Sequence, residues 1–192
     1  MLTSNIFLNI SNIIKLRRNL LIKKNILNEL LLIFINFTII LISTSGCITN
    51  DSGDWGNAPN INLNDIYGEK FNLSDNLGNI ILIDFMYVNC PPCQLQMGEL
   101  IKVYEEFEDK IVIISISVFG AGDNNEDLIT FKEYYKANWI FALDTLNEDA
   151  TRKYNVLNVP KIFIINKLGD IEYTHTGYTN SDLIIDEINN II

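Results

Sequence analysis

Two cysteines separated by two prolines are the residues of this sequence best placed to do chemistry. Cys90, Pro91, Pro92 and Cys93 follow directly on the apolar run Ile80–Val88 and open a stretch of helical periodicity. At the first turn of a helix the backbone N–H groups have no helical partner, and the helix dipole favours an anion there. The first thiol should therefore be acidified. A fall in its pKa from about 8.5 to about 7 raises the thiolate share at neutral pH from a few per cent to half, and the thiolate is the attacking species in disulfide exchange. Pro91 and Pro92 suit the first helical turn, because the N–H groups they lack would be unpaired there in any case. A structural zinc site would need two further ligands, and the sequence offers only Cys47 and His175. A static disulfide closing so short a loop adds little of the stabilisation that longer loops give. The pair reads as redox-active, with no metal and no cofactor expected.

The elements that must position this pair can be read from periodicity. Ile80–Val88 is nearly continuous in apolar residues, the pattern of a strand covered on both faces, and Ile111–Val118 repeats it. Trp139–Leu143 and Ile162–Ile165 are further strands. Ile171–Thr176 follows the turn-forming Lys167, Leu168, Gly169 and Asp170, so five strands can share one sheet. Helical spacing occupies Pro92–Phe107, with Glu99 and Lys102 on its solvent side, then Asn124–Lys136, Asn147–Tyr154 and Thr179–Ile192. Thr179 and Asp182 are spaced like a capping box. Asn62–Leu73 reads as an edge hairpin turning at Tyr67 and Gly68. Alternation of strand and helix predicts an α/β fold: a mixed, mostly parallel five-stranded sheet with helices on both faces.

One charge interrupts the first strand. Asp84, alone inside Ile80–Val88, should be desolvated and so hold its proton toward neutrality, either as a working acid–base group or as a satisfied buried carboxylate. His175 reads as a strand residue without chemistry, and Tyr87, Phe119, Trp139 and Tyr178 as core or rim aromatics.

The chain has 192 residues, 48% apolar and 20% charged, which suits one compact domain with an appendage and excludes wholesale disorder. A net charge of −10 excludes a nucleic-acid partner. That charge is unevenly spread. Of 14 Lys plus Arg, 5 precede residue 30, and of 24 Asp plus Glu only Glu29 does, so the remainder carries 9 cations against 23 anions. Leu30–Asn50 has no charge at all, long enough in a helix to cross a hydrocarbon core of roughly 30 Å. The positive-inside rule then puts residues 1–29 in the cytoplasm and the acidic part outside. Ser43, Thr44, Ser45 and Gly46 before Cys47 also resemble a lipoprotein signal, so residues 30–47 are either an uncleaved membrane anchor or a signal leaving a lipidated Cys47, with ordinary secretion as a third route. Residues 48–57 read as a linker and 58–192 as the folded domain at the outer side of the cell membrane.

Asp84 and Phe85 followed by Cys90–Cys93 resemble the strand and active-site turn of thioredoxin-like proteins. The closer similarity is to the exported TlpA-like and ResA-like branch of the redoxin, or AhpC/TSA, group. Ala58 and Pro59 with the hairpin, Leu73–Asp75, the segment Tyr154–Pro160 and the turn Gly169–Ile171 extend it over essentially all of residues 58–192. The resemblance implies a thioredoxin fold and a thiol–disulfide oxidoreductase, whose parts run in either direction, with reduction of substrates favoured over oxidation. It assigns attack to Cys90, resolution to Cys93 and proton transfer at Cys93 to Asp84. It further implies a cis bond before Pro160, with the Val159 backbone pairing with an extended substrate segment. Exported disulfide-containing proteins as substrates, a membrane thiol reductant to reset the pair and a monomeric state complete the expectation. Asn89, Met86 and Lys161 stand where the family usually has Trp, Trp and Thr, and Gln96 and Gly98 stand where the branch often has Glu and Pro.

Two other functions stay in view. An AhpC/TSA-type thiol peroxidase needs Thr or Ser three residues before its cysteine, where Tyr87 stands, and a Sco-like copper carrier spaces its cysteines by three residues rather than two.

Overall fold

A computed structural model describes residues 56–192 of the chain. The basic segment, the expected anchor or signal and Cys47 lie outside the described residues. Among the described residues no helix is long and apolar enough to cross a membrane.

A hairpin comes first, β1 (Asn62–Asn64) against β2 (Lys70–Asn72), antiparallel and outside the main sheet. The Asp65 carboxylate accepts the Tyr67 and Glu69 N–H groups at 2.8 Å each, which closes the turn. Ile66 donates its N–H to the Phe141 carbonyl at 2.9 Å, so the hairpin borders the sheet where β5 ends it. The main sheet holds β3 (Ile80–Met86), β4 (Ile111–Ser117), β5 (Ile140–Leu143), β6 (Lys161–Ile165) and β7 (Ile171–Thr176), in the order β5-β4-β3-β6-β7. β3 is parallel to β4 and β4 to β5, whereas β6 is antiparallel to both β3 and β7. Four strands thus share a direction and β6 alone opposes them, the mixed sheet expected. β6 turns into β7 through Asn166, whose side chain accepts the Leu168 and Asp170 N–H groups, with Gly169 at φ +95°. A side chain at that angle would be strained.

Because side chains alternate across a strand, β3 supplies both cores. Ile80, Leu82 and Met86 face α1 (Pro91–Phe107), α2 (Asn125–Tyr135) and α4 (Ser181–Asn189), with Met97, Leu100, Leu128, Ile184 and Ile188 in one buried cluster. Ile81, Ile83 and Phe85 face a second cluster with Leu63 and Phe71 of the hairpin, Ala150 and Tyr154. Truncating a fully buried residue such as Leu100 to Ala costs about 2–5 kcal/mol.

Two helical expectations need correction. The helix read over Asn147–Tyr154 is a single turn, α3 (Ala150–Lys153), because Asp144 takes the Ala150 and Thr151 N–H groups and fixes the preceding loop as a turn. On the second face of the sheet the hairpin therefore packs beside this short helix. The cap of α4 is Asn180, whose side chain accepts the Leu183 N–H at 2.9 Å, rather than the Thr179 and Asp182 pair, because Thr179 is buried and bound elsewhere. α2 does carry a full capping box, Asn124 with Asp127.

Candidate active site

β3 ends at Met86 and α1 starts at Pro91, so Tyr87–Cys90 form the turn between strand and helix. Cys90 is the N-cap of α1, with an extended backbone (φ −103°, ψ 105°), and its Sγ accepts the Cys93 N–H at 3.2 Å. Pro91 and Pro92 fill the first two helical positions, and the first turn holds no acidic residue to offset the positive end of the helix. Cys90 and Cys93 are joined as a disulfide, S–S 2.05 Å, with Cα atoms 5.2 Å apart. Both are buried, 2% and 1% exposed. On reduction, the Cys90 sulfur is left where a backbone N–H and an uncompensated helix end favour the thiolate.

The turn is pinned from two sides. The Val88 N–H goes to Asp123 Oδ2 at 2.9 Å, and the Val88 carbonyl accepts from Gln94 Nε2 at 2.9 Å. The same Asp123 oxygen accepts the Ser117 hydroxyl at 2.7 Å, which ties the loop after β4 to the end of the strand that carries it.

Asp84 lies in the middle of β3, 1% exposed. Alternation puts it on the face of Leu82 and Met86, whose cluster contains Cys93. Its Oδ2 accepts the Ser115 hydroxyl at 3.0 Å, while Oδ1 is buried without a hydrogen-bond partner. Burial raises its pKa to about 7 against the pull of the Ser115 hydroxyl, so the group gains and loses a proton in the physiological range.

Val159 and Pro160 are joined by a cis peptide bond, and Pro160 is buried just ahead of β6. The Pro160 carbonyl accepts the Gly177 N–H at 2.7 Å, while among the described residues neither backbone group of Val159 is hydrogen-bonded. Val159 shares with Cys90 a groove of about 420 Å³ lined also by Tyr87, Pro92, Val118, Phe119, Thr151, Val156, Leu157 and Asn158. No lining residue is charged. Phe119 and Leu157 stand on its rim, 51% and 81% exposed.

Gln96 is fully buried on α1, where both ends of its amide meet the backbone of Thr179: Nε2 donates to the carbonyl at 3.0 Å and Oε1 accepts the N–H at 2.7 Å. A carboxylate at this position would lose the donated bond. The amide serves as a brace between α1 and the loop before α4.

The structure therefore brings Cys90 and Cys93 into a bond, places Cys90 and Val159 on one groove and sets Asp84 on the cysteines' side of the sheet. Cys47 lies outside the described residues. Ser115, Ser117, Asp123, Gln94 and the indole of Trp139 are site residues that the sequence does not single out. The available signal was Ser115 and Ser117 at alternate positions in the otherwise apolar Ile111–Ser117, two hydroxyls on one face of a buried strand.

Comparison with known proteins agrees with this geometry. The thioredoxin-like protein YneN of Bacillus subtilis is 28% identical over 120 residues, 62% of this chain and 69% of that protein. The thiol-disulfide oxidoreductase ResA of the same organism is 27% identical over 176 residues, 91% of this chain and 94% of that protein. Among solved structures, StoA from Bacillus subtilis superposes with a TM-score of 0.59 at 20% identity, covering 68% of this chain and 97% of StoA, and shares its thioredoxin-like fold. The AhpC/TSA family model matches residues 56–174, a stretch that holds the hairpin, Asp84, both cysteines and the cis proline, and the chain belongs to that family.

Proposed function

We propose that this chain exchanges disulfides with exported proteins on the outer side of the cell membrane, using Cys90 and Cys93, and that it acts as a reductant. As a thioredoxin-like thiol–disulfide oxidoreductase of the ResA type, the chain is an enzyme. The observation that carries the proposal is the Cys90–Cys93 disulfide at the N-terminus of α1, at the floor of an uncharged groove.

In the proposed cycle the Cys90 thiolate attacks a substrate disulfide and forms a mixed disulfide, expelling one substrate thiolate. Cys93 then gives its proton to Asp84 and attacks Cys90, which closes the Cys90–Cys93 bond and frees the second substrate sulfur. Two electrons pass to the substrate. A membrane thiol reductant restores the pair, and no cofactor or metal takes part. The free N–H and carbonyl of Val159 support pairing with an extended substrate backbone, and Phe119 and Leu157 suit apolar residues beside the substrate cysteine. The reducing direction is carried by the resemblance to ResA-like proteins. Residues 30–47 would hold the domain at the membrane, as a span or through lipid on Cys47, and the domain would act as a monomer.

For a peroxidase reading, Tyr87 on the groove offers no hydroxyl of the kind that family places three residues before its cysteine. The test is redox titration of the full chain against glutathione, read by thiol alkylation. A reductant's pair is mostly oxidised at a poise of about −220 mV. A pair mostly reduced at that poise contradicts the direction, and a pair that never exchanges with glutathione contradicts the function.

A further inference from the structure

We infer that Ser115 and Trp139 are positioning residues for the proton step at Cys93: the indole N–H fixes the Ser115 hydroxyl so that its one proton is committed to Asp84 Oδ2, leaving Oδ1 as the oxygen that takes and returns the proton. This rests on the function proposed above and names two further residues for it.

The supply of donors fixes the direction of these bonds. Trp139 Nε1 carries a proton and no lone pair to accept with, and it lies 3.0 Å from Ser115 Oγ. Ser115 Oγ must therefore accept, and its single hydroxyl proton is left for Asp84 Oδ2, also at 3.0 Å. All three side chains are buried: Ser115 is 0% exposed and Trp139 6%. Trp139 is itself held by stacking on Phe141, ring centroids 5.9 Å apart at 21°, so the indole has little freedom to release the hydroxyl. Among the described residues Asp84 Oδ1 is the buried carboxylate oxygen without a hydrogen-bond partner.

The surroundings leave the hydroxyl as the group that tunes the carboxylate. On this face β6 sets Ile162 opposite Asp84 and β7 sets His175 opposite Ile162, while the cluster's titratable side chains are Cys90 and Cys93, with the partly buried Tyr87, Tyr104, Tyr135 and Tyr173 packed against it. Asp123, in the loop after β4, is bound to Ser117, and Lys161 of β6 lies over the Phe163 ring at 4.9 Å, on the other face. A hydroxyl that can only donate favours the ionised carboxylate; one free to rotate can instead accept from the protonated form.

In the step itself, the Cys93 S–H breaks and its proton moves to Asp84 Oδ1. The Cys93 sulfur bonds to Cys90, the bond between Cys90 and the substrate sulfur breaks with its electron pair going to the substrate, and the proton then leaves Asp84 for that thiolate.

The test uses the reduced full chain with 5,5′-dithiobis(2-nitrobenzoate), which releases one coloured thiolate on attack by Cys90 and a second when Cys93 resolves the mixed disulfide. In wild type the second phase should rise with pH as Asp84 ionises. Ser115→Ala should move that midpoint up by about one pH unit, slow the second phase roughly fivefold at pH 7 and leave the first phase unchanged. Trp139→Phe should shift it in the same direction by less, and Ser115→Thr, which keeps the hydroxyl, should restore it. An unmoved midpoint in both Ser115→Ala and Trp139→Phe, or both phases slowed alike in Trp139→Phe, overturns the inference. Misfolding of Ser115→Ala would show in the first phase, and Trp139→Phe then decides. If wild type lacks a second phase, or Asp84→Asn leaves it untouched, the catalytic reading itself fails, a result separable from a negative result at Ser115.

Discussion

Asp84 and Glu99 are two carboxylates packed on the same helix-bearing side of the sheet, and the structure treats them in opposite ways. Asp84 is enclosed by apolar residues with one donor, and burial lifts its pKa to about 7. Glu99, partly buried on α1, takes the Ser181 N–H at 2.9 Å, the Tyr178 hydroxyl at 3.0 Å and the Lys102 ammonium at 3.0 Å. The Ser181 backbone bond, at the start of α4, is the main cause that holds its pKa down to about 2. The number of donors decides the outcome: a desolvated acid starved of donors keeps a mobile proton, and one supplied with them becomes a permanently charged brace.

The strongest way to break this contrast is Asp84→Asn. Exchange through the second step should fall roughly 100-fold at pH 7, the scale of a lost general base. Stability should move the other way. The folded pKa lies above the unfolded value of 3.8, so wild type keeps its full stability below about pH 4 and loses it as pH rises to about 7. Thermal unfolding should therefore show the variant several degrees more stable at pH 8 and nearly equal at pH 4; equal midpoints at both would mean Asp84 is solvated.

Gln96→Ala comes next. It leaves the buried Thr179 N–H and carbonyl without partners, which should cost about 2–4 kcal/mol in urea unfolding while exchange per folded molecule stays at the wild-type rate. A loss of activity without a loss of stability would move Gln96 from brace to active site.

Glu99→Gln should cost about 1 kcal/mol at pH 7, as loss of a charged helix-end acceptor does. Its folded pKa is depressed, so the stabilisation is present above the unfolded value of 4.5 and disappears as pH falls to about 2. Urea unfolding at pH 7 and pH 2 should show a difference only at pH 7. Lys102→Ala, removing an exposed partner, should leave both stability and exchange unchanged.

What the sequence made legible follows the same physics. Asp84 stood out because a charge inside Ile80–Val88 has no cheap explanation, and the cysteine pair because its spacing and place before a helix are local features. The strand order was less accessible, yet β3, β4, β5 and β6 announced themselves by apolar continuity, and β7 and the hairpin by their turns. Ser115 and Trp139 were not legible as partners of Asp84, because their meeting depends on the β3–β4 register, which pairs Asp84 with Ser115, and on a long crossover that returns Trp139 to the sheet. Glu99 looked like a solvent-face residue for a related reason: the helical wheel of α1 does not reveal that α4 begins against it. The shortness of α3 is not visible in the sequence, because Asp144, six and seven residues upstream of the N–H groups it captures, competes with helix formation over Asn147–Asp149.

The most direct measurement is the pH dependence of iodoacetamide alkylation of Cys90 in the reduced full chain carrying Cys93→Ser. A thiol held at the bare N-terminus of α1 should be modified with a midpoint near pH 7, well below that of free cysteine at about 8.5. A midpoint at or above 8.5 would mean that the helix end does nothing for this sulfur, and the proposed attack on substrate disulfides would lose its physical basis.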